Sequence, residues 1–591
     1  MKHIFSKSSV RFSVLIVFFT YFIISIIYWM PPLFSFNNYI IGIGGGKGDP
    51  GAFIWFLSWW PYAILHGLNP FLEKYAWAPY GQNLAWVNSI PALAIFMGPV
   101  TYYFGPVVSY NIIALLSPPL AALSMFIFTY YFTKRLFPSF FAGYFFGFSS
   151  YMIGELRGAP NLYVIFLIPV LFLICIMFMK KQIKKTYFIF FMCITLIIQF
   201  CISPEIFTTV TFFGFISWVV GIIVFRKDYK NFLCLFKYLA VSYFLSFIIL
   251  SPYFYYMYIG FSQFSAPSSL LLYYNRYNVA NVLEYIIPTP ITYLGGNAFI
   301  PLTNSFIGNW NEMGAYLGLP LIAILIIYII RNWGAKHVKF LSIMLLVVFF
   351  ASLGTPIRVG DISIGPGPGI LILLIPLLHI ATPVRFSMYI SFIASIIIAL
   401  FLGKYNKSIL AYISVLIAII FIIPNVPGRY NNFMDSKISM PKIFSTKEYK
   451  KLIYPNENIL IIPFGVNGSS MFYQAVDKFY YRTPDGYLGQ SPQYILKLPI
   501  LNTLYNNKII PHLRSNLLYY IKYSKINAIL IIGKREQLAW EKIFQLSHIC
   551  IAKHKISRNV AIFLIHNKII LSHSFNCYYN YNNVLVPNSW K

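Results

Sequence analysis

Along its first 425 or so positions the chain carries apolar residues in long unbroken runs. They do not alternate with the two- or 3.6-residue period of a domain bathed in water. Runs at or near spanning length lie at about 12–30, 107–131, 136–152, 161–179, 186–202, 207–225, 235–256, 313–330, 339–353, 386–402 and 408–424. A helix needs about 20 apolar residues to cross the hydrocarbon core of a bilayer, so the pattern predicts eleven transmembrane helices. Two further apolar stretches, 51–67 with Trp55, Trp59 and Trp60, and 88–104, fall between the first and second spans. They read as helices lying in the membrane interface, where Trp and Tyr settle. If both cross instead, the count becomes thirteen and only residues 68–87 change side.

Beyond residue 428 the apolar runs shorten. Residues 458–462, 528–532 and 560–565 read as buried strands, and 517–523 and 536–546 as helices. That is an α/β pattern, and roughly 160 residues suffice to bury a core. The chain therefore divides into a multispanning part at 1–428, whose first loop covers about 31–106, and an α/β domain at 429–591.

Composition agrees with the pattern. Of 591 residues, 58% are hydrophobic and 10% charged, against about 25% charged in an ordinary soluble domain. Too little polar surface exists to coat such a globule in water, which excludes a soluble enzyme, a disordered scaffold and a small disulfide-stapled module. The net charge of +30 would suit a nucleic-acid binder only if it lay on one hydrated face. Here the basic residues punctuate the apolar runs, and no nucleic-acid partner is expected. Four cysteines (Cys175, Cys193, Cys201, Cys234) lie in or beside apolar runs and read as small hydrophobes. For Cys550 and Cys577 the sequence leaves open whether they pair outside the cytoplasm or stay free, the free state being the plainer reading.

Charge also orients the chain. Lys2, Lys7 and Arg11 precede the first apolar run, and Trp29-Met-Pro-Pro32 after it offers no small-residue cleavage site, so the run reads as an uncleaved helix. Basic clusters occupy 134–135, 180–185, 226–237, 331–339 and 404–407. With all of them cytoplasmic, as the positive-inside rule asks, each pair of clusters is separated by two spans and residues 429–591 lie outside. Up to residue 428 this topology puts 18 Lys and Arg inside and six outside. Of the eight acids in that stretch only Asp228 is inside, so Asp49, Glu73, Glu155, Glu205, Glu284, Glu312 and Asp361 gather on the outer side. An ionisable group at the end of a span is costly unless paired or hydrated. Each one alone also reads as a cap or a snorkelling side chain, but their collection on one face suggests a site.

The first loop, Gly44-Gly-Gly-Lys-Gly-Asp-Pro-Gly51, is the most informative segment. Its glycines leave backbone N–H groups open to an anionic group, and Asp49 follows the first span directly. A phosphate-loop reading fails because no Ser or Thr follows Lys47. A flexible turn capped by Asp49 is the plainer alternative. Across the same face, Glu155 and Arg157 share Gly154-Glu-Leu-Arg-Gly158, and Glu205 follows Ser203-Pro204. Glu284 and Arg276 lie in a long loop, Glu312 precedes Gly314, and Arg385 sits at the outer end of the tenth span. Lys47, Arg157, Arg276, Glu284, Glu312 and Arg385 are candidates for substrate binding.

Gly48-Asp-Pro50, Trp55-Phe-Leu-Ser-Trp59, Asn69-Pro-Phe71, Ala78-Pro-Tyr-Gly81, Ser109-Tyr-Asn111, Ser352-Leu-Gly354 and Arg385-Phe386 together resemble a bacterial group of integral-membrane glycosyltransferase-like proteins in the GT-C superfamily. The likeness runs through most of residues 1–425 as short, spaced pieces. It implies a multispanning fold, interfacial helices and an acidic residue in the first outer loop, and a polyprenyl-phosphate sugar donor used at the outer face. Asp49 matches the catalytic position of that group, and Glu155 falls where many relatives place a second acid. The acidic pair common in the group is absent because Pro50 follows Asp49, so a metal is unassigned, with Mg or Mn the expected kind.

The expectation is a membrane glycosyltransferase that moves a sugar to an extracytoplasmic glycan, lipid or envelope polymer, in the bacterial cytoplasmic membrane with its N-terminus inside. Two other classes stay open: a transporter or flippase of lipid-linked precursors, and a noncatalytic envelope-assembly protein. A transporter favours internal repeats and mid-membrane charges, and no repeat is evident.

Overall fold

A computed structural model of the protein describes residues 8–30, 35–259, 278–306, 308–375, 378, 381–425, 435–489, 491–547, 552–557, 559–565, 577–579 and 585–587. Among them, seven helices are long and apolar enough to cross a membrane: Phe12–Trp29, Pro106–Thr133, Pro160–Met179, Lys185–Ile202, Pro204–Val224, Arg226–Ile249 and Pro383–Lys404. The four other expected spans are shorter helices: Leu136–Gly147 with 12 residues, Leu319–Arg331 with 13, Lys336–Ser352 with 17 and Ile409–Ile422 with 14.

Local chemistry explains two of these shortenings. The run at 136–152 breaks after Gly147, because Ser149 caps a separate helix, Ser150–Glu155, by accepting from the Met152 N–H at 3.3 Å. The run at 313–330 becomes helical only at Leu319, after Gly318 at φ 80° and with Pro320 in the first turn.

The Pro106–Thr133 and Pro383–Lys404 helices are the buried centre of the bundle, while Phe12–Trp29 and Arg226–Ile249 lie at its periphery. Helices in lipid lack a water-driven force between them and pack through small residues that let backbones approach. The Leu136–Gly147 helix does this against Pro106–Thr133. A Cβ on Gly143 would lie 2.6 Å from the Ala122 carbonyl oxygen, and one on Gly147 2.4 Å from that of Pro118.

The Trp-rich stretch is a helix, Gly48–Leu65, but it does not lie at a lipid surface as expected. Pro50 through Trp60 and Ala63 are buried. Trp55 Nε1 donates to Gln474 Oε1 at 2.7 Å, Trp59 Nε1 donates to the Pro70 carbonyl at 2.9 Å, and both rings meet Phe479 edge-on. The helix is thus sandwiched between the bundle and the C-terminal domain. The second stretch breaks into Pro91–Phe96 and Gly98–Phe104, leaving Phe96, Tyr103 and Phe104 largely exposed, as an interfacial segment would.

The C-terminal domain holds a four-stranded sheet in the order Asn458–Ile462, Ile526–Ile532, Val560–Leu564, Ala552–Ser557. The first two strands are parallel and the other pairings antiparallel. The helices Leu513–Tyr523 and Lys534–Leu546 flank the second strand in the chain, as the sequence pattern predicts. The expected boundary at 428/429 and Cys550, one of the two cysteines whose pairing the sequence leaves open, fall where residues 426–434 and 548–551 lie outside the described residues. Domain and bundle are nonetheless stitched together. Tyr39–Ile41 pairs antiparallel with Asp435–Lys437, and Ser436 Oγ accepts from the Gly45 N–H and donates to the Gly42 carbonyl, both at 2.8 Å.

Candidate active site

The glycine-rich loop is glycine-rich for steric reasons. Gly44, Gly45, Gly46 and Gly48 all have positive φ, where a Cβ is disfavoured. A Cβ on Gly46 would also strike the Phe472 ring at 2.9 Å, and one on Gly51 the Gly46 carbonyl at 2.2 Å. The loop folds tightly back on itself against the C-terminal domain and delivers Asp49 to the first turn of the Gly48–Leu65 helix, where the helix dipole favours a carboxylate. The loop's other end is clamped by Asn111, which accepts from the Ile41 N–H at 2.9 Å and donates to the carbonyls of Phe36 and Tyr39 at 3.0 and 2.8 Å.

Asp49 and Lys47 are exposed. One Asp49 oxygen, Oδ1, accepts from the Tyr487 hydroxyl at 2.9 Å, a contact that crosses from bundle to C-terminal domain. The loop after Glu155 packs alongside: the Ile43 N–H donates to the Arg157 carbonyl at 2.9 Å, and a Cβ on Gly158 would lie 3.3 Å from Pro50 and 3.7 Å from the Asp49 Cβ.

Behind Asp49 stands a wall of charge. The Gly154 and Gly314 backbones approach so closely that a Cβ would lie 2.5 Å from the Asn311 carbonyl and 2.8 Å from the Tyr151 Cα respectively. This seats Glu155 and Glu312 on one wall. Arg385 enters from the start of its helix. Its Nη2 lies 2.5 Å from Glu312 Oε1, its Nε 3.2 and 3.1 Å from the two Glu312 oxygens, and its Nη1 2.7 Å from Glu205 Oε2. Glu155 Oε1 is 4.0 Å from Arg385 Nε and only 3% of its side chain is exposed. One guanidinium therefore serves three carboxylates.

Burial first, and then that imbalance, set the electrostatics. The Glu155 carboxyl is held well above the ordinary carboxylate range by burial and then by Glu312, with Arg385 opposing. Asp49 reaches solvent, but its crowded surroundings raise its carboxyl too. Burial is the main cause and Glu312 adds to it, while the Tyr487 hydrogen bond and Arg385 pull it down.

The other candidates separate by position. Arg157 is 5% exposed, its guanidinium 5.8 Å from the Trp310 ring centre, and burial pushes it down to about 10. Glu284 accepts from the Ala315 N–H at 2.9 Å and the Asn281 N–H at 3.3 Å, and burial pushes it up to about 8. It braces the backbone that follows Glu312. Glu73 likewise accepts from the Tyr75 and Ala76 N–H groups, at 2.9 and 2.8 Å. Arg276 lies outside the described residues. Sequence reasoning pairs no acid with Arg385 and passes over Tyr487. Glu205 is visible as an acid at the start of its helix, whereas nothing local marks Tyr487, 438 residues from Asp49. Among the described residues no three His, Cys, Asp or Glu side chains gather as a metal-ligand set.

The bundle of apolar helices, with an acidic residue at the mouth of its first loop and a C-terminal domain seated over it, has counterparts among solved membrane-protein structures. An oligosaccharyltransferase from Archaeoglobus fulgidus, crystallised with Zn and sulfate, matches with a TM-score of 0.53 at 11% identity, over 93% of this chain and 73% of that one. The arabinofuranosyltransferase AftD from Mycobacteria matches with a TM-score of 0.54 at 10% identity, over 94% of this chain. The present chain spans only 41% of AftD. At such identities the likeness shows the fold alone: this chain shares its helical-bundle architecture with those two membrane proteins. No protein-family model matches the sequence, and no curated protein does.

Proposed function

We propose that the protein is a membrane glycosyltransferase that moves a sugar from a polyprenyl-phosphate-linked donor to an acceptor glycan, lipid or envelope polymer outside the bacterial cytoplasmic membrane. The observation that carries the reading is Asp49: an open carboxylate at the mouth of the first loop of a GT-C fold, facing an acidic wall closed by Arg385. In this reading Asp49 takes the proton of an acceptor hydroxyl as that oxygen attacks the anomeric carbon. The bond from the anomeric carbon to the phosphate oxygen breaks, and the lipid phosphate leaves with the electron pair. Lys47, exposed two residues away, is the cation presented to the phosphate. Arg385 is engaged by Glu312 and Glu205 and holds the wall together, while Glu155 supports the site from that wall with its carboxyl held above the ordinary range by burial. The donor's lipid tail remains in the bilayer beside the bundle.

The test is a transfer assay with purified protein and a panel of polyprenyl-phosphate sugars, wild type against Asp49→Asn. Positioned acid–base groups contribute about 10²–10⁴-fold, so the variant should lose roughly that much turnover while staying folded. A folded Asp49→Asn protein that transfers normally would sink the assignment, and the base would then be sought among Glu155, Glu205 and Glu312.

A further inference from the structure

Tyr487 reaches Asp49 from a turn that has little freedom. The Thr483 N–H donates to the Tyr75 carbonyl at 2.7 Å, the Ala78 N–H to the Thr483 carbonyl at 2.9 Å, and the Trp77 N–H to the Asp485 carbonyl at 3.1 Å. Asp485 is fully buried, and its Oδ1 accepts from the Gly465 and Gly486 N–H groups at 2.8 and 2.7 Å. Gly486 is closed against the Trp77 indole, which a Cβ would meet at 2.6 Å. The residue after this locked turn is Tyr487, with its hydroxyl 2.9 Å from Asp49 Oδ1.

We infer that Tyr487 is a positioning residue for Asp49: through this hydroxyl the C-terminal domain fixes the carboxylate's orientation and ionisation and so completes the site only when it is seated on the bundle. The inference rests on Asp49 as the base of the transferase reading. A hydrogen bond to a charged acceptor is shorter and stronger than a neutral one, and a carboxylate held at one oxygen keeps the other for an acceptor hydroxyl. Geometry singles out Tyr487 among the groups around Asp49. Arg385 and Glu312 act on it through space and Lys47 lies on its own loop, whereas Tyr487 is hydrogen-bonded to it. Of these groups Tyr487 alone belongs to the C-terminal domain.

The experiment is an infrared difference titration of the full-length protein in detergent, following the carboxyl band that disappears in Asp49→Asn. Tyr487→Phe keeps the ring and removes the donor. The charged form loses its stabilisation, so the titration midpoint should rise by about one pH unit, a tenfold change in the protonation equilibrium. An unmoved midpoint overturns the inference, since a tyrosine that merely packs would leave the carboxyl unchanged. The transfer assay separates the two readings. In it, Tyr487→Phe should move the acid limb of the rate profile upward, and should cost nothing further in an Asp49→Asn background. A raised infrared midpoint with no Asp49-dependent transfer would uphold Tyr487 and defeat the transferase reading. Asp49-dependent transfer with an unmoved acid limb would do the reverse.

Discussion

A carboxylate that works as a base must be ionised, and Asp49 is harder to ionise than an ordinary Asp because protein crowds it and Glu312 faces it. Activity should therefore fall on the acid side at a pH above the usual value of about 4, as its raised pKa is crossed from above. A rate profile whose acid limb lies below that value would contradict the surroundings described for Asp49. Arg385 poses the opposite problem, being one cation among Glu155, Glu205 and Glu312. Its side chain is 23% exposed, so water moderates the cost of removing it, but three carboxylates would then share a pocket with no cation. Arg385→Ala should lower stability by up to about 3 kcal/mol, and Glu312→Gln in the same chain should restore part of that loss. Thermal unfolding in detergent checks both, and an Arg385→Ala protein that melts with the wild type would show the wall to be solvent-balanced. Asp49, Glu155, Glu312 and Arg385 are each legible in the sequence as ionisable residues at span ends. Their convergence is not, because it is set by how four separate segments pack.

At the scale of helices, packing rather than propensity decides which glycines matter. Gly147 sits where a Cβ would meet the Pro118 carbonyl at 2.4 Å, whereas Gly214, in the Pro204–Val224 helix, has nothing within 4 Å. Gly147→Ala should cost about 1–3 kcal/mol through overpacking, while Gly214→Ala should be neutral or gain up to about 1 kcal/mol from helix propensity. Equal melting shifts for the two would refute the close approach. Helix positions are the most legible part of this chain, because lipid demands continuous apolar runs of a set length. The helix ends are less so, since Ser149 and Gly318 act through local backbone geometry. The Trp-rich helix is misread for a physical reason: a protein interior and a membrane interface both accept Trp. The partners that bury it, Gln474 and Phe479, lie more than 400 residues away.

On the scale of the whole molecule, the acids and the C-terminal domain meet at one end of the bundle, as Tyr487 on Asp49 attests. The basic clusters at 134–135, 180–185, 226–237, 331–339 and 404–407 fall at the alternate helix junctions, which puts them at the opposite end. Lys and Arg are retained in the cytoplasm, so the end with the acids and the domain should face outward. Ser436 would be a poor reporter of this, because it is 4% exposed and bonded to the first loop. Ser445 on the domain and Lys184 on the basic side are both exposed. A cysteine at Ser445 should react with a membrane-impermeant thiol reagent in intact cells, above the background of the unmutated protein, and a cysteine at Lys184 should react only after the membrane is opened. The reverse pattern would place Asp49, Glu155 and Arg385 on the cytoplasmic side. A nucleotide-sugar donor would then be as available to them as a lipid-linked one, and the case for a polyprenyl-phosphate donor would fall with the topology.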